Sequence, residues 1–210
     1  MKLIKLARSA KDADRWYADF ESGESLKIDT GAVAELSLFS GRELSEEELE
    51  RLRALASCFC AKERSFRLLS ARQMSRRELE KKLREKGASE TDIASAADLM
   101  ERIGALNDGE YASAIVRHYA KKGYGKGRAV RELVRRGVPK ELWEEALSEL
   151  PEDTAAIDAL VSRRLKGEIP EGGEKKKLCD MLLRRGYSWT EIKEALARYG
   201  ANTEEIEDDE

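Results

Sequence analysis

The sequence is poor in residues that interrupt helices and in side chains that often perform catalysis. It has three prolines, three cysteines and one histidine in 210 residues, and aromatic residues make up only 6%. Proline usually accounts for about 5% of residues, so its scarcity favours long helices. No run approaches the roughly 18 consecutive apolar residues of a membrane span, and the first residues lack the apolar stretch of a signal peptide. We therefore expect a cytoplasmic protein with no membrane partner.

The cysteines and the histidine form no recognisable reactive group. Cys58 and Cys60 are two residues apart in a helical pattern, which points their side chains in different directions, and Cys179 stands alone. We expect three reduced, mostly buried thiols. His118 has no cysteine or serine in a nucleophile motif nearby. The sequence therefore predicts no enzymatic activity, no metal and no cofactor.

Charge is what the sequence has in excess, at 39% of residues against a usual figure of about 25%. The 39 Lys and Arg residues nearly balance 42 Asp and Glu residues, and the net charge is −3. Overall charge therefore does not draw the chain to DNA or to an anionic membrane, and any basic surface must be local. Six of the acidic residues fall within 203–210, which we predict to be an acidic disordered tail.

Strand patterns are confined to the first thirty residues, in runs at 2–6, 15–20 and 25–28. The turn residues Ser22 and Gly23 separate the last two runs, which predicts a β-hairpin. Such a small sheet cannot stand alone and must pack on the following helix or add to a partner. We expect a short helix at 32–38, and then a long helix that begins after the N-cap residue Ser45.

A threefold repeat is the strongest internal pattern. Gly87, Gly137 and Gly186 are separated by 50 and 49 residues, and each follows a basic helix. A leucine lies four residues before each glycine and an alanine nine residues after it. Glycine can adopt the left-handed conformation that ends a helix, so another helix can start directly afterwards. With the helix that precedes each basic helix, every copy is a three-helix unit.

The predicted fold class is mainly α. We expect three tandem three-helix repeats in an elongated, curved array, preceded by a small N-terminal β-hairpin region. Each repeat is too small for a sizeable core of its own, so neighbouring repeats should stack. The predicted segments are a β-hairpin and short helix at 1–44, repeats at 45–106, 107–150 and 151–202, and the acidic tail at 203–210.

The middle helix of each repeat concentrates positive charge, with net charges of +4, +8 and +4 over residues 71–87, 115–140 and 163–187. One such helix is usually just a solvated face. Three in equivalent positions favour a surface that follows a polyanion or an acidic protein groove. The predicted binding residues are Arg72, Arg76, Arg77, Lys81, Lys82, Arg84, Lys121, Lys122, Tyr124, Lys126, Arg128, Arg131, Arg135, Arg136, Lys175, Lys176, Arg184 and Arg185.

The glycine-rich segment at 123–127 resembles a phosphate loop only superficially. It lacks a serine or threonine after Lys126, and it lies between two helices instead of after a strand. We interpret it as a helix stop followed by a tight entry into the next helix, whose exposed N-terminal amides can hold one backbone phosphate. Tyr124 either stacks on a base or packs on its own bundle, and packing is favoured.

Several short motifs between about residue 60 and residue 150 point to a known family. They are RSFRLLS at 64–70, Arg72, Ser75, Glu78-Leu79, Leu83, Lys86-Gly87, Leu106-Asn107-Asp108, Tyr111-Ala112, Arg117, KGYG at 122–125, Arg131-Glu132-Leu133 and Gly137. Together they resemble the RecX family of bacterial recombination regulators. The resemblance covers nearly the whole chain and is weaker in the third repeat and in the N-terminal strands.

This resemblance implies a cytoplasmic, non-enzymatic modulator of the recombinase RecA, active in DNA repair, DNA recombination and the SOS response. RecX-like proteins lie in the groove of the RecA filament on single-stranded DNA and suppress ATP hydrolysis and strand exchange. The implied partners are the RecA filament and single-stranded DNA, with duplex DNA bound more weakly, and the chain is expected to be a monomer. The residues alone leave two alternatives open: an autonomous helix-turn-helix-like DNA-binding protein, and a helical adaptor for another protein.

Overall fold

A computed structural model of the chain describes residues 1–151, 154–165 and 172–200. The described residues are mainly helical, and they divide into two compact units, one spanning Met1–Leu106 and the other starting at Asn107. The predicted acidic tail at 203–210 lies outside the described residues. None of the described helices is both long enough and apolar enough to cross a membrane.

The first unit begins with a three-stranded antiparallel sheet in the order β1-β2-β3. Its strands are β1 (Leu3–Arg8), β2 (Arg15–Phe20) and β3 (Ser25–Asp29). The predicted hairpin is formed by β2 and β3, and β1 adds a third strand with a register shift between Leu3 and Lys5. One face of the sheet packs its buried side chains against the helix that follows, as the small size of the sheet requires.

Two helices follow the sheet, α1 (Thr30–Glu35) and α2 (Glu46–Ala71). Helix α1 starts and ends earlier than the predicted 32–38, because the Asp29 carboxylate accepts a hydrogen bond from the amide of Ala32 at 2.7 Å and fixes its start. The predicted N-cap at Ser45 is confirmed, since its hydroxyl and the Glu48 carboxylate form a reciprocal capping box.

Helix α2 also starts the first group of three helices, with α3 (Arg76–Arg84) and α4 (Glu90–Arg102). The N-terminal half of α2 packs on the sheet, while its later residues join α3 and α4 in a separate core. That core contains Ala61, Met74, Leu79, Leu83, Ile93, Ala96, Ala97, Met100 and Leu106. One long helix therefore connects two small cores within the first unit.

The second unit contains two further groups of three helices. The first comprises α5 (Asp108–Lys121), α6 (Lys126–Arg136) and α7 (Trp143–Ser148), with a 3₁₀ turn at Lys140–Leu142. The second comprises α8 (Ala155–Leu165), α9 (Gly172–Arg185) and α10 (Trp189–Arg198). Each group has its own buried cluster, and α6 packs on α9 to join the two.

The register of the repeat is confirmed by backbone conformation. Gly87, Gly137 and Gly186 have φ values of +79°, +68° and +92°, the left-handed region that glycine adopts with little strain. The leucines four residues before them, Leu83, Leu133 and Leu182, are all fully buried at 0% exposure. A mainly α fold of three-helix groups behind a small antiparallel N-terminal sheet is therefore confirmed.

The three cysteines are free thiols. Cys179 is buried, whereas Cys58 and Cys60 are half-buried, so the expectation of mostly buried thiols is met fully only at Cys179. Burial raises the pKa of both the Cys60 and the Cys179 thiol, which lowers their reactivity as thiolates.

Candidate functional site

The basic residues of α3 differ in how far their charge is already neutralised. Arg76 is held by three carboxylates, with N–O distances of 2.8 Å to Glu80, 2.6 Å to Asp98 and 2.5 Å to Glu101. The hydrogen bond to Asp98 is the main cause of the raised pKa of Arg76. These carboxylates neutralise the charge of Arg76 and link α3 to α4, so Arg76 is a weak candidate for binding a ligand.

Two more predicted residues of this region are also ion-paired. Arg84 donates two hydrogen bonds to Glu90, at 2.6 and 2.7 Å, and Arg72 contacts Glu78 at 3.3 Å. The bidentate Arg84 contact lowers the pKa of the Glu90 carboxyl. Both arginines are exposed, yet each has a carboxylate within contact distance.

Three cations of α3 remain available. Arg77 and Lys81 are exposed and lie four residues apart, which places them on the same side of the helix, and Lys82 is half-buried. None of the three forms an ion pair with any carboxylate in the part of the chain that the structure describes. These three side chains form the unneutralised part of the predicted basic face in the first unit.

In α6, two predicted residues share one carboxylate. Arg135 contacts Glu132 at 2.9 and 2.5 Å, and Arg136 contacts it at 2.7 Å. Glu132 is only 6% exposed, and the hydrogen bonds from Arg135 and then Arg136 lower its pKa to about 2. The two guanidinium groups therefore share a carboxylate that is ionised at neutral pH.

A cluster of exposed amines surrounds the turn between α5 and α6. Lys121 ends α5, Lys122 directly follows it, and Lys126 begins α6, so three ammonium groups fall within six residues of chain. All three are exposed, and none forms an ion pair with a carboxylate among the described residues. We call Lys121, Lys122 and Lys126 the lysine cluster.

Two backbone amides at the start of α6 are not available to bind a phosphate. The amide of Gly125 donates to the carbonyl of Arg185 at 3.1 Å, and that of Gly127 donates to the carbonyl of Gly186 at 2.9 Å. A Cβ atom at Gly125 would lie 2.5 Å from the Gly186 oxygen, so the two segments are in direct backbone contact. The expectation that these amides are exposed is wrong, because the end of α9 occupies them.

Tyr124 packs within its own unit, as the sequence favours. Its ring lies 5.4 Å from that of Tyr119 in an edge contact. The guanidinium groups of Arg185 and Arg128 lie 5.2 Å and 5.9 Å from the Tyr124 ring centroid. Tyr124, Arg128 and Arg185 are half-buried. The two arginines therefore contribute to packing where α6 meets α9.

The third repeat places its predicted residues on different sides. Lys175 is only 6% exposed, so the prediction that it belongs to an exposed basic face is corrected. Its position in the first turns of α9 turns it toward the interior. Lys176 and Arg184 are exposed. The Arg184 carbonyl accepts a hydrogen bond from Nη2 of Arg131, at 3.1 Å, which brings α6 and α9 together at this point.

Two exposed apolar side chains beside these arginines escaped the sequence analysis. Val134 is 57% exposed and Leu183 is 41% exposed. They occupy the same register, three residues before Gly137 and Gly186. The repeat alignment could have found them. Arg84 occupies the equivalent position in the first repeat, and a charged residue there indicates that the position faces solvent. Apolar residues at the same position in the other two repeats should therefore be exposed.

The described residues show no metal-binding group around the histidine or the acidic side chains. His118 is exposed and makes only an edge contact with Tyr119, 5.5 Å between ring centroids. In the ranges that the structure covers, no group of three or more His, Cys, Asp or Glu side chains is arranged to hold a metal ion. The described residues instead present exposed cations on their helices.

Two family models match the chain. The model described as RecX, first three-helix domain, matches residues 61–98, and the model described as RecX, second three-helix domain, matches residues 107–147. These matches cover the helices that carry the α3 cations and the lysine cluster.

Comparisons with individual relatives and with a solved structure agree with the family models. A protein of Amycolatopsis mediterranei named regulatory protein RecX is 32% identical over 70% of this chain and 90% of its own length. One of Caldanaerobacter subterraneus with the same name is 28% identical over 93% of this chain and 96% of its own. A crystal structure of regulatory protein RecX superposes with a TM-score of 0.74 at 19% identity, covering 94% of this chain and 98% of that one, which shows a shared fold.

Proposed function

This chain belongs to the RecX family, and on that premise we propose that it regulates the RecA recombinase without catalysing a reaction itself. It binds the groove of the RecA filament on single-stranded DNA and inhibits ATP hydrolysis and strand exchange. The shared name of its relatives, regulatory protein RecX, supports a regulatory role. The RecA partner and the inhibitory direction come from the family resemblance.

The lysine cluster is the observation that carries the binding part of this proposal. Its three ammonium groups are exposed and unneutralised in the described residues, whereas Arg76, Arg84, Arg135 and Arg136 have carboxylate partners. A cation without a partner gives up no existing ion pair when it meets a phosphate or an acidic protein surface. The lysine cluster is therefore the first candidate for contact with the filament.

The α3 cations Arg77, Lys81 and Lys82 form a second candidate contact in the other unit. They lie on the equivalent middle helix of the first repeat and also lack carboxylate partners in the described part of the chain. A regulator with separate cationic contacts gains affinity through avidity when both engage one polymer. This supports binding to a filament, which repeats the same surface along its length.

The test follows ATP hydrolysis and strand exchange by RecA on single-stranded DNA while the full chain is added. We expect inhibition at stoichiometric protein. Reversing the lysine cluster with Lys121→Glu, Lys122→Glu and Lys126→Glu should raise the concentration needed for half-inhibition by about tenfold or more, because attraction becomes repulsion.

The matched control reverses three exposed lysines of the N-terminal sheet region, Lys2, Lys5 and Lys11, to glutamate. This variant has the same net charge as the cluster variant, so it separates position from overall charge. We expect it to inhibit like the unmodified chain. Unchanged RecA activity with the unmodified chain would overturn the regulatory proposal, and equal loss in both variants would remove the lysine cluster from it.

A further inference from the structure

A groove runs along one face of the second half of α2, in the first unit. It has a volume of about 690 Å³, within the range of about 300–1,000 Å³ that ligand pockets span. Its lining includes Phe59, Lys62, Phe66 and Arg67 of α2, and Asp14 from the loop between β1 and β2. We call this cavity the α2 groove. It brings aromatic, cationic and acidic side chains to one place.

Two phenylalanines form an apolar part of the α2 groove. Phe66 is 46% exposed, and Phe59, about two helical turns earlier on the same side of α2, is half-buried. Neither ring belongs to the two buried cores of the first unit. An exposed ring inside a concave surface offers a flat face on which another planar ring can stack. The groove therefore suits a ligand that contains an aromatic ring.

Two cations of α2 flank the exposed ring. Lys62 lies one helical turn before Phe66, and Arg67 directly follows it. Neither Lys62 nor Arg67 forms an ion pair with a carboxylate in the part of the chain that the structure describes. An anionic group that binds them therefore breaks no existing ion pair.

Acidic side chains also line the α2 groove, and most of their charge is already matched. Asp12 contacts Arg15 at 3.1 Å, and Glu63 contacts both Arg15 and Lys27, the latter at 3.4 Å. Asp29 is the N-cap of α1, where the helix dipole favours a negative charge. These acids therefore repel an anion in the groove less than their number suggests.

Asp14 differs from the other acids of the groove because one of its oxygens is unused. Its side chain is exposed, and its Oδ1 accepts a hydrogen bond from the amide of Thr30 at 3.2 Å. Its Oδ2 has no hydrogen-bond donor or cation within contact distance among the described residues. A carboxylate oxygen can accept from the exocyclic amine of a nucleobase, as aspartate does from cytosine N4. The groove therefore combines a stacking face, two unpaired cations and one available acceptor.

We propose that the α2 groove holds one nucleotide of single-stranded DNA, with its base stacked on Phe66 and its phosphate bound by Lys62 and Arg67. The exocyclic amine of cytosine or adenine then donates to Asp14. Stacked bases and cations along the backbone are the general means by which proteins hold single strands. In duplex DNA the base faces are covered by their neighbours, so a duplex does not fit. The choice of DNA as the single strand rests on the proposed function.

An acidic peptide is the main alternative occupant. Its carboxylates would suit Lys62 and Arg67, but it offers no planar amine for the carboxylate of Asp14, which would repel it. A nucleotide carries a negative charge at one end and hydrogen-bond donors at the other, which matches the two kinds of unpaired charge in the groove.

Fluorescence anisotropy with labelled oligodeoxynucleotides of about ten nucleotides, in the absence of RecA, tests the base contact. We expect the full chain to bind an oligodeoxycytidylate about threefold more tightly than an oligothymidylate, because thymine has no exocyclic amine. Asp14→Asn keeps an oxygen for the Thr30 amide and presents an amide donor to the base, so the preference should disappear or reverse. Equal affinity of the unmodified chain for the two oligonucleotides would overturn the proposal.

Substitutions of Phe66 test the stacking. Phe66→Leu should weaken binding of both oligonucleotides about fivefold, whereas Phe66→Tyr keeps a ring and should bind like the unmodified chain. Phe39 is 61% exposed and does not line the groove, so Phe39→Leu is the matched control and should leave the affinity unchanged. Equal losses in Phe66→Leu and Phe39→Leu, or no loss in either, would contradict the proposal.

NMR of the unmodified chain tests the contact without any substitution. We expect nuclear Overhauser effects between the Phe66 ring protons and the base protons of bound oligodeoxycytidylate, and their absence at saturating oligonucleotide would overturn the proposal. None of these measurements contains RecA. A chain that inhibits RecA but shows no contact between Phe66 and cytosine would therefore remove the α2 groove as a binding site and leave the proposed function standing.

Discussion

Glu132 illustrates how a single buried carboxylate determines which neighbouring cations are available. Burial alone would raise the pKa of this carboxyl, yet its pKa is lowered to about 2. The hydrogen bonds from Arg135 and Arg136 therefore outweigh the cost of burial. Arg135 and Arg136, both predicted binding residues, therefore stabilise their own helix.

Replacing Glu132 with glutamine should reduce the free energy of unfolding by about 1–2 kcal/mol at neutral pH, because it leaves Arg135 and Arg136 without their shared anion. The folded pKa of about 2 lies below the usual value for glutamate. The stabilisation is therefore complete above about pH 5 and is lost as the pH falls toward 2. Urea unfolding at several pH values should show the two proteins converging in acid.

Glu85→Gln is the matched control. Glu85 is exposed just after α3 and has no cationic partner among the described residues, so its replacement should change the unfolding free energy by less than about 0.5 kcal/mol. A constant gap between Glu132→Gln and the unmodified chain from neutral pH to acid would contradict the assigned pKa. No gap at all would show that the shared pair contributes nothing to stability.

Among the elements, α6 and α9 meet through glycine at an unusually close backbone contact. Gly186 has φ +92°, and a Cβ atom there would overlap the backbone of Arg128. Gly186→Ala should therefore combine backbone strain with a steric clash that no side-chain rotation relieves. We expect a loss of about 3 kcal/mol or more in the free energy of unfolding, measured by urea denaturation.

Gly87→Ala separates the two effects, because Gly87 occupies the same repeat position. It has φ +79°, but nothing lies within 4 Å of where its Cβ would be. This variant should lose only about 1 kcal/mol, the cost of a left-handed conformation for alanine. If both variants lost the same amount, the close contact between α6 and α9 would not contribute to stability.

The helices and their ends were largely predictable because their determinants are local. The capping serines Ser45 and Ser188 and the three left-handed glycines each act within a few residues of chain, and apolar periodicity located the buried leucines. The start of α1 was misplaced because its cap, Asp29, closes β3 at the same time. One residue there ends a strand and begins a helix.

The candidate site was less predictable, because whether each cation is neutralised depends on carboxylates distant in sequence. Asp98 and Glu101 neutralise Arg76 from another helix, 22 and 25 residues away. Likewise, the repeat spacing gave no sign that Gly125 touches Gly186. Repeat spacing shows that units are alike, but it does not show which surfaces they press together.

In the whole molecule, positive charge is concentrated locally, while the net charge is −3. Long-range attraction to DNA is therefore weak, and binding must depend on the few cations that are exposed and unpaired. The strength of DNA binding without RecA therefore distinguishes the proposed regulator, which needs the RecA filament, from an autonomous DNA-binding protein, which would bind duplex DNA tightly by itself.

We expect the full chain without RecA to bind single-stranded DNA with a Kd of about 1 µM or weaker at physiological salt, measured by fluorescence anisotropy. If the lysine cluster contacts phosphates, changing Lys121, Lys122 and Lys126 to glutamine should reduce the slope of log K against log salt by about 2, since each neutralised phosphate contributes about 0.7. Nanomolar duplex binding with a steep slope would instead favour the helix-turn-helix-like alternative. An unchanged slope in the triple variant would show that DNA is bound elsewhere, because counterion release follows the cations that touch phosphate.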